Sequence, residues 1–299
     1  MDPISSLVIL AGGASSRMKK EAAQQEGLSA EDIKQANERS KGLIGVGQQG
    51  RPLLDYVLYN AKKAGYTKIY IVIGENGQLF REFYGSGKSG GVFHGMEIYF
   101  ATQYVPKDRV KPFGTADALY QTTEQFPELN TRRYSVCNSD NLYSVEAFKA
   151  LRNTEEPNAF IAYDRDAMEF PEERISRFAL VKLNEKGYLM DIMEKPEADQ
   201  IDAYKDAMGK LRVSMNAFTF DGVKMAPYLK NCPIHPQRNE KELPTALLNM
   251  LGAYPETAIG IPLSEHVPDL TAKEDIVDVK NYLEKHYPIL DWEESLKNG

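Results

Sequence analysis

Apolar runs short enough to be strands alternate with longer segments of helical spacing through the first half of this chain. The runs at residues 6–10, 68–73, 97–103, 134–137 and 159–163 read as strands bounded by turn-forming residues. Between them, residues 52–64, 77–84, 115–126 and 145–153 read as helices. Pro52 suits a first turn, and Ser144 suits the N-cap of the last helix. This order predicts a mostly parallel sheet covered by helices. After Tyr163 the period changes: residues 178–183 and 188–193 flank the turn Asn184-Glu185-Lys186-Gly187 as an antiparallel hairpin, so a mixed sheet is expected. Ile276, Val279 and Leu283 then recur at helical spacing within 272–286, which predicts a tail helix packed back on the sheet. With no repeat or low-complexity linker to divide it, residues 1–299 are expected to form a single domain.

Charge narrows the partners. A formal net charge of −7 argues against nucleic acid, whose backbone is bound by clustered Lys and Arg, so any phosphate held here is expected to belong to a small molecule. Cys137 and Cys232 are too few for a disulfide framework or a cysteine-based zinc site. His94, His235, His266 and His286 are scattered without zinc-ligand spacing. The chain starts with an acidic Asp2 and a short apolar run that stops at Gly12, with no basic leader. A cytoplasmic protein without a membrane span is therefore expected.

Candidate chemistry begins at residues 7–18, LVILAGGASSRM, where an apolar strand ends in paired glycines. Gly12 and Gly13 allow a tight turn and a close backbone approach to a ligand, and the amides of Ala14, Ser15 and Ser16 are free to point at anionic oxygens. Arg17 adds a fixed positive fork suited to phosphate. By itself such a segment is more often an ordinary turn between a strand and a helix. The second piece is Ser40-Lys41-Gly42-Leu43-Ile44, followed by Gly50-Arg51-Pro52-Leu53-Leu54 entering a helix; alone, Lys41 reads as solvated surface.

Together, LAGGASSRM, SKGLIGVG and GRPLLDYVL resemble the amino-terminal signature of the sugar-1-phosphate nucleotidyltransferases. The resemblance continues in the family's order to about Leu283. Gln103 ends a strand, and FGTADAL at 113–119 is similar to the glycine-led helix start that lies against the nucleotide base. VCNSDN at 136–141 is similar to the strand-end segment whose aspartate binds magnesium, with Asn138 and Ser139 replacing the usual glycine-containing approach. DIMEKP at 191–196 resembles the family's Glu-Lys-Pro segment, RVSMNAFTF at 212–220 its sugar-contacting strand, and ELPTALLNML at 242–251 one of its helices. PDLTAKED at 268–275 is similar to a late stretch that carries a second magnesium ligand.

The resemblance implies an α/β, Rossmann-like, mixed and mostly parallel sheet flanked by helices, with a small antiparallel sugar-binding part within 165–235. With no hexapeptide repeats after Leu283, no C-terminal β-helix is expected. It implies roles for Arg17, Lys41 and Lys195 in catalysis, and for Ala11, Gly12, Gly13, Gln103, Gly114 and Thr115 in nucleotide binding. Glu194, Lys195 and Asn216 would bind the sugar phosphate, and Asp140 and Asp269 would bind Mg2+. Each has a plainer reading: a helix start at Gly114, an exposed hairpin end at Glu194 and Lys195, and a loop acid at Asp269 before a helix capped by Thr271.

The implied reaction is magnesium-dependent transfer of a nucleotidyl group from a nucleoside triphosphate to a sugar 1-phosphate, giving a nucleoside diphosphate sugar and pyrophosphate. The attacking phosphate is already anionic, so no general base is needed, which agrees with motifs free of histidine. Transfer to a non-sugar phosphate and an inactive nucleotide- or sugar-binding regulator stay open, as does a homo-oligomer. A dinucleotide-binding oxidoreductase is disfavoured because GGASSRM lacks the GxGxxG spacing. Residues 19–40 separate Arg17 from Lys41 by more than the usual compact signature. They are polar, and Ser29-Ala30-Glu31-Asp32 reads as a helix start, so they form either a surface helix or a lid that orders over bound triphosphate.

Overall fold

The computed structural model describes residues 3–20, 27–85, 91–194 and 199–293. In chain order the strands are β1 (Ser6–Leu10), β2 (Lys68–Gly74), β3 (Gly91–Phe93), β4 (Met96–Gln103), β5 (Arg133–Asn138), β6 (Asn158–Asp164), β7 (Leu180–Leu183), β8 (Leu189–Met193), β9 (Arg212–Asp221) and β10 (Ala258–Leu263). The helices are α1 (Ala30–Glu38), α2 (Leu53–Ala64), α3 (Gln78–Tyr84), α4 (Thr115–Gln125), α5 (Val145–Asn153), α6 (Glu172–Ile175), α7 (Gly222–Lys230), α8 (Leu243–Ala253) and α9 (Asp275–His286). No helix among the described residues is long and apolar enough to cross a membrane.

The sheet runs in the order β10-β6-β9-β5-β1-β2-β4-β3. β1 lies parallel between β2 and β5, β4 continues parallel on β2, and β10 lies parallel on β6. β9 is reversed and joins the two parallel blocks by pairing antiparallel with both β5 and β6. The hairpin β7–β8 forms as expected and attaches through Leu180, opposite Val213 of β9. The result is the expected mixed, mostly parallel α/β sheet.

Strand alternation divides the core between two faces. Leu7 and Ile9 of β1 pack with Leu54, Val57 and Leu58 of α2, Phe148 of α5, and Ile276, Val279 and Leu283 of α9. Val8, between them, faces Leu119 of α4, Met225 and Leu229 of α7 and Leu247 of α8. The tail helix therefore closes one face, as its spacing predicts. Besides the four-residue α6, three elements lie outside the sequence expectations. β10 contains Gly260 and Pro262, residues depleted from strands, and is tolerated because it is the last strand of its block. α7 carries Pro227 inside it and is started by Asp221, whose carboxylate accepts from the amides of Val223 and Lys224. β3 is too short for a periodic signal.

Candidate active site

The carboxyl ends of β1, β4 and β5 open on one side of the sheet, where ligands of open α/β sheets are bound. β1 runs into the glycine turn, and the Ala11 amide still bonds the carbonyl of Val72 at 2.9 Å. A Cβ on Gly12 would stand 3.1 Å from Gln103 Oε1, so this glycine lets the turn settle on the end of β4, while a Cβ on Gly13 would meet nothing within 4 Å. Gln103 is fixed in turn, donating to the Gly114 carbonyl at 3.1 Å and to Asp117 at 3.2 Å.

Gly114 precedes α4 with φ +103°, and a Cβ there would lie 2.7 Å from the carbonyl oxygen of Lys241. That same carbonyl accepts from the Ala116 amide at 3.0 Å, and the Leu243 amide donates to Thr115 Oγ1 at 3.0 Å. The turn is thus fastened to the residues leading into α8, leaving the first turn of α4 beside the cleft.

The cleft between these turns encloses about 290 Å³ and is lined by Ala11, Gly12, Gly13, Arg17, Lys41, Gln103, Gly114, Thr115, Asp140 and Asn216. Ten residues singled out in the sequence therefore converge. Asn216, in β9, has a left-handed φ of +56°. The 3-10 turn Lys41–Leu43 packs against the end of β5: a Cβ on Gly42 would be 3.2 Å from the Ser139 backbone oxygen. This brings Lys41 Nζ to 2.8 Å from Asp140 Oδ2.

Asp269 reaches Asp140 along the backbone. Asn141 and Asp269 form an antiparallel bridge, the Leu270 amide donates to the Asp140 carbonyl at 2.8 Å, and the Leu142 amide donates to the Pro268 carbonyl at 2.9 Å. Burial, and then the charge of Asp140, push the Asp269 carboxyl above its ordinary pKa. Its side chain does not line the main cleft. Arg174 bonds Asp269 Oδ2 at 2.7 Å, and the Thr271 hydroxyl donates to the same carboxylate at 2.7 Å. Thr271 consequently does not cap α9 as expected. The Asp275 carboxylate accepts from the amides of Thr271 and Ala272, each at 2.7 Å, and the N-cap Glu274 makes no side-chain cap bond.

Glu194 also lies away from the main cleft, paired with Arg238, whose Nη1 is 3.1 Å from Glu194 Oε1. Lys195 falls outside the described residues. The sequence reading missed Lys111 and Glu240, which line the cleft, and Arg174. Lys111 stands two residues before the recognised FGTADAL segment; Glu240 and Arg174 sit in polar stretches that carry no motif.

Residues 6–254 match the family described as Nucleotidyl transferase. The chain belongs to that family. Among curated relatives, the glucose-1-phosphate adenylyltransferase small subunit, chloroplastic/amyloplastic, of Triticum aestivum is 28% identical over 200 residues, which are 66% of this chain and 39% of the relative. The chain thus spans well under half of that relative's length. A crystal structure of UDP-glucose pyrophosphorylase complexed with UDP-glucose has a TM-score of 0.66 at 15% identity, over 94% of this chain and 99% of that one. At that identity the likeness is one of fold.

The donor chemistry of Asp140 and Asp269, carboxylates on bridged backbone segments, fits a hard divalent cation. No group of three or more His, Cys, Asp or Glu side chains among the described residues is placed to hold a metal by itself. Two carboxylates from adjacent backbone segments suit Mg2+, which keeps several waters and takes its remaining ligands from substrate phosphates.

Proposed function

We infer that the protein transfers a nucleotidyl group from a nucleoside triphosphate to a sugar 1-phosphate, releasing pyrophosphate, with Asp140 and Asp269 holding Mg2+. The observation that carries this reading is the convergence of Arg17, Lys41 and Asp140 on the glycine turn, in one cleft, with Asp269 bridged beside Asp140. Two polyanions must meet there, so neutralisation and alignment dominate the barrier. In this reading Arg17 and the amides after Gly13 take triphosphate oxygens, supported by their place with Lys41 in the wall of the same cleft. Bound Mg2+ supplies Lewis-acid polarisation of phosphoryl oxygen. The turn at Gly114 and Thr115, with Gln103, forms the far wall, where the base would lie.

The acceptor is the less constrained partner. Glu194, expected on the sugar hydroxyls, is held by Arg238, and this favours keeping a phosphorylated alcohol as a second acceptor class. Pyrophosphate release, measured over a panel of triphosphates against sugar 1-phosphates and phosphorylated alcohols with and without magnesium, tests both. Release with one triphosphate and a sugar 1-phosphate, abolished by chelation, is the expected result. Release only with phosphorylated alcohols selects the second class, and binding without turnover across the panel makes the protein a regulator.

A further inference from the structure

Each of the paired carboxylates carries a basic side chain, and the two are held very differently. Arg174 bonds Asp269 Oδ2 at 2.7 Å and the Asp269 carbonyl at 3.3 Å, pairs also with Asp275, and lies 4.2 Å from the ring centroid of Phe170. Its planar fork is engaged on several sides, and release would break all these contacts together. Among the described residues Lys41 Nζ has a single bond, to Asp140 Oδ2, on a flexible stem in the wall of the main cleft.

We propose that Lys41 is a placeholder: it neutralises Asp140 while the cleft is empty, and it gives up that carboxylate to an incoming divalent cation, becoming free for the triphosphate. This rests on the assignment of Asp140 as a metal ligand. An ammonium on Asp140 Oδ2 and a divalent cation brought to the same carboxylate repel each other in this partly buried site, which favours departure of the cation held by one bond, while Arg174 is anchored at Asp275 and Phe170 as well. The backbone of the 41–43 turn cannot retreat, since Gly42 is packed against Ser139 at the end of β5. The exchange is therefore a side-chain rotation, with Lys41 turning from Asp140 toward the anions beside Arg17. Arg174 stays, so one positive charge remains behind the pair while the other is handed over. Metal and triphosphate thereby become reciprocally coupled, each favouring the Lys41 position the other needs.

Acylation of Lys41 by an N-hydroxysuccinimide ester, followed by peptide mass spectrometry, reads this directly in the wild-type chain without nucleotide. Lys41 side-chain exposure is only 13% in the paired state. Mg2+ alone is expected to raise its labelling several-fold, and Asp140→Asn is expected to raise it with or without Mg2+. In parallel, unbound Mn2+ is measured by electron paramagnetic resonance. Lys41→Met should bind Mn2+ about tenfold more tightly than wild type, the scale of one charge-assisted contact, and Asp140→Asn should bind it far more weakly. Mn2+ binding that depends on Asp140, with Lys41 labelling unchanged by metal, overturns the placeholder and leaves the metal assignment standing. Mn2+ binding indifferent to Asp140→Asn overturns both.

Discussion

Gly114 shows how little of a site one residue's identity reveals until its surroundings are known. Its positive φ and the carbonyl 2.7 Å from any added Cβ leave room for glycine alone. Gly114→Ala is expected to cost about 1–3 kcal/mol of stability through backbone strain and to weaken triphosphate binding by shifting the start of α4. Urea unfolding together with nucleotide titration checks both effects, and a variant unchanged in each shows that the turn yields freely. Arg174 is the opposite case. Arg174→Met leaves Asp269 buried beside Asp140 without its counter-charge and is expected to lower stability by about 3 kcal/mol, measured by the same unfolding. The cleft residues that lie in motifs were legible because those motifs follow one another in a fixed order, whereas Lys111 and Glu240 lie just outside them. Arg174 was not, because its partner lies 95 positions away and it sits on a four-residue helix with no periodic signal.

Elements with strong periodicity were legible almost to their ends, as with β1 and α5, and Ser144 does cap α5, accepting from the Ala147 amide. Those carrying Pro or Gly, β10 and α7, were hidden because local propensity argues against what tertiary pairing enforces. α1 lies within the stretch expected as a surface helix or a lid. Ser29 and Asp32 form a reciprocal capping box, Lys280 of α9 bonds the Asp32 carboxylate at 2.7 Å, and Gln35 accepts from the Gly45 amide at 2.8 Å. The amides of α1 are thus expected to resist hydrogen exchange without nucleotide and to gain no protection with a magnesium nucleotide; residues 21–26 of the expected lid lie outside the described residues. Exchange-rate changes in α1 itself on nucleotide binding contradict this. Burial raises the Asp32 pKa, but the bonds from Lys280 and Ser29 outweigh it and hold the group below its ordinary value. A carboxylate depressed in the fold contributes stability above its unfolded pKa and loses it as pH falls through the folded one. The stability difference between wild type and Asp32→Asn should therefore be constant above about pH 5 and shrink in acid, as read from urea unfolding across pH.

At the scale of the whole molecule, the first parallel block supplies the glycine turn, Arg17, Lys41 and Asp140, while the hairpin β7–β8, attached to β9, leads into Glu194. The proposed function, with Lys41 on the triphosphate and Lys195 on the acceptor phosphate, predicts separable kinetics. Lys41→Ala should chiefly impair use of the triphosphate and Lys195→Ala use of the acceptor phosphate, each by roughly tenfold to a hundredfold in kcat/KM. Equal losses for both substrates in both variants remove that division. The reversed strand β9 also governs when the fold can exist at all. As the chain leaves the ribosome, β1 to β6 emerge well before residues 212–221, and until those residues arrive the facing edges of β5 and β6 have no partner. The nascent protein is then a sheet of β1 to β5 with one open edge and a β6 that has neither of its partners, since β10 follows later still, a state in which open edges invite aggregation. A chain stopped at Leu211 should be cut rapidly in pulse proteolysis and held by chaperones, whereas the complete chain resists. Equal resistance of the two chains shows that β1 to β8 hold together without β9 and the elements that follow it.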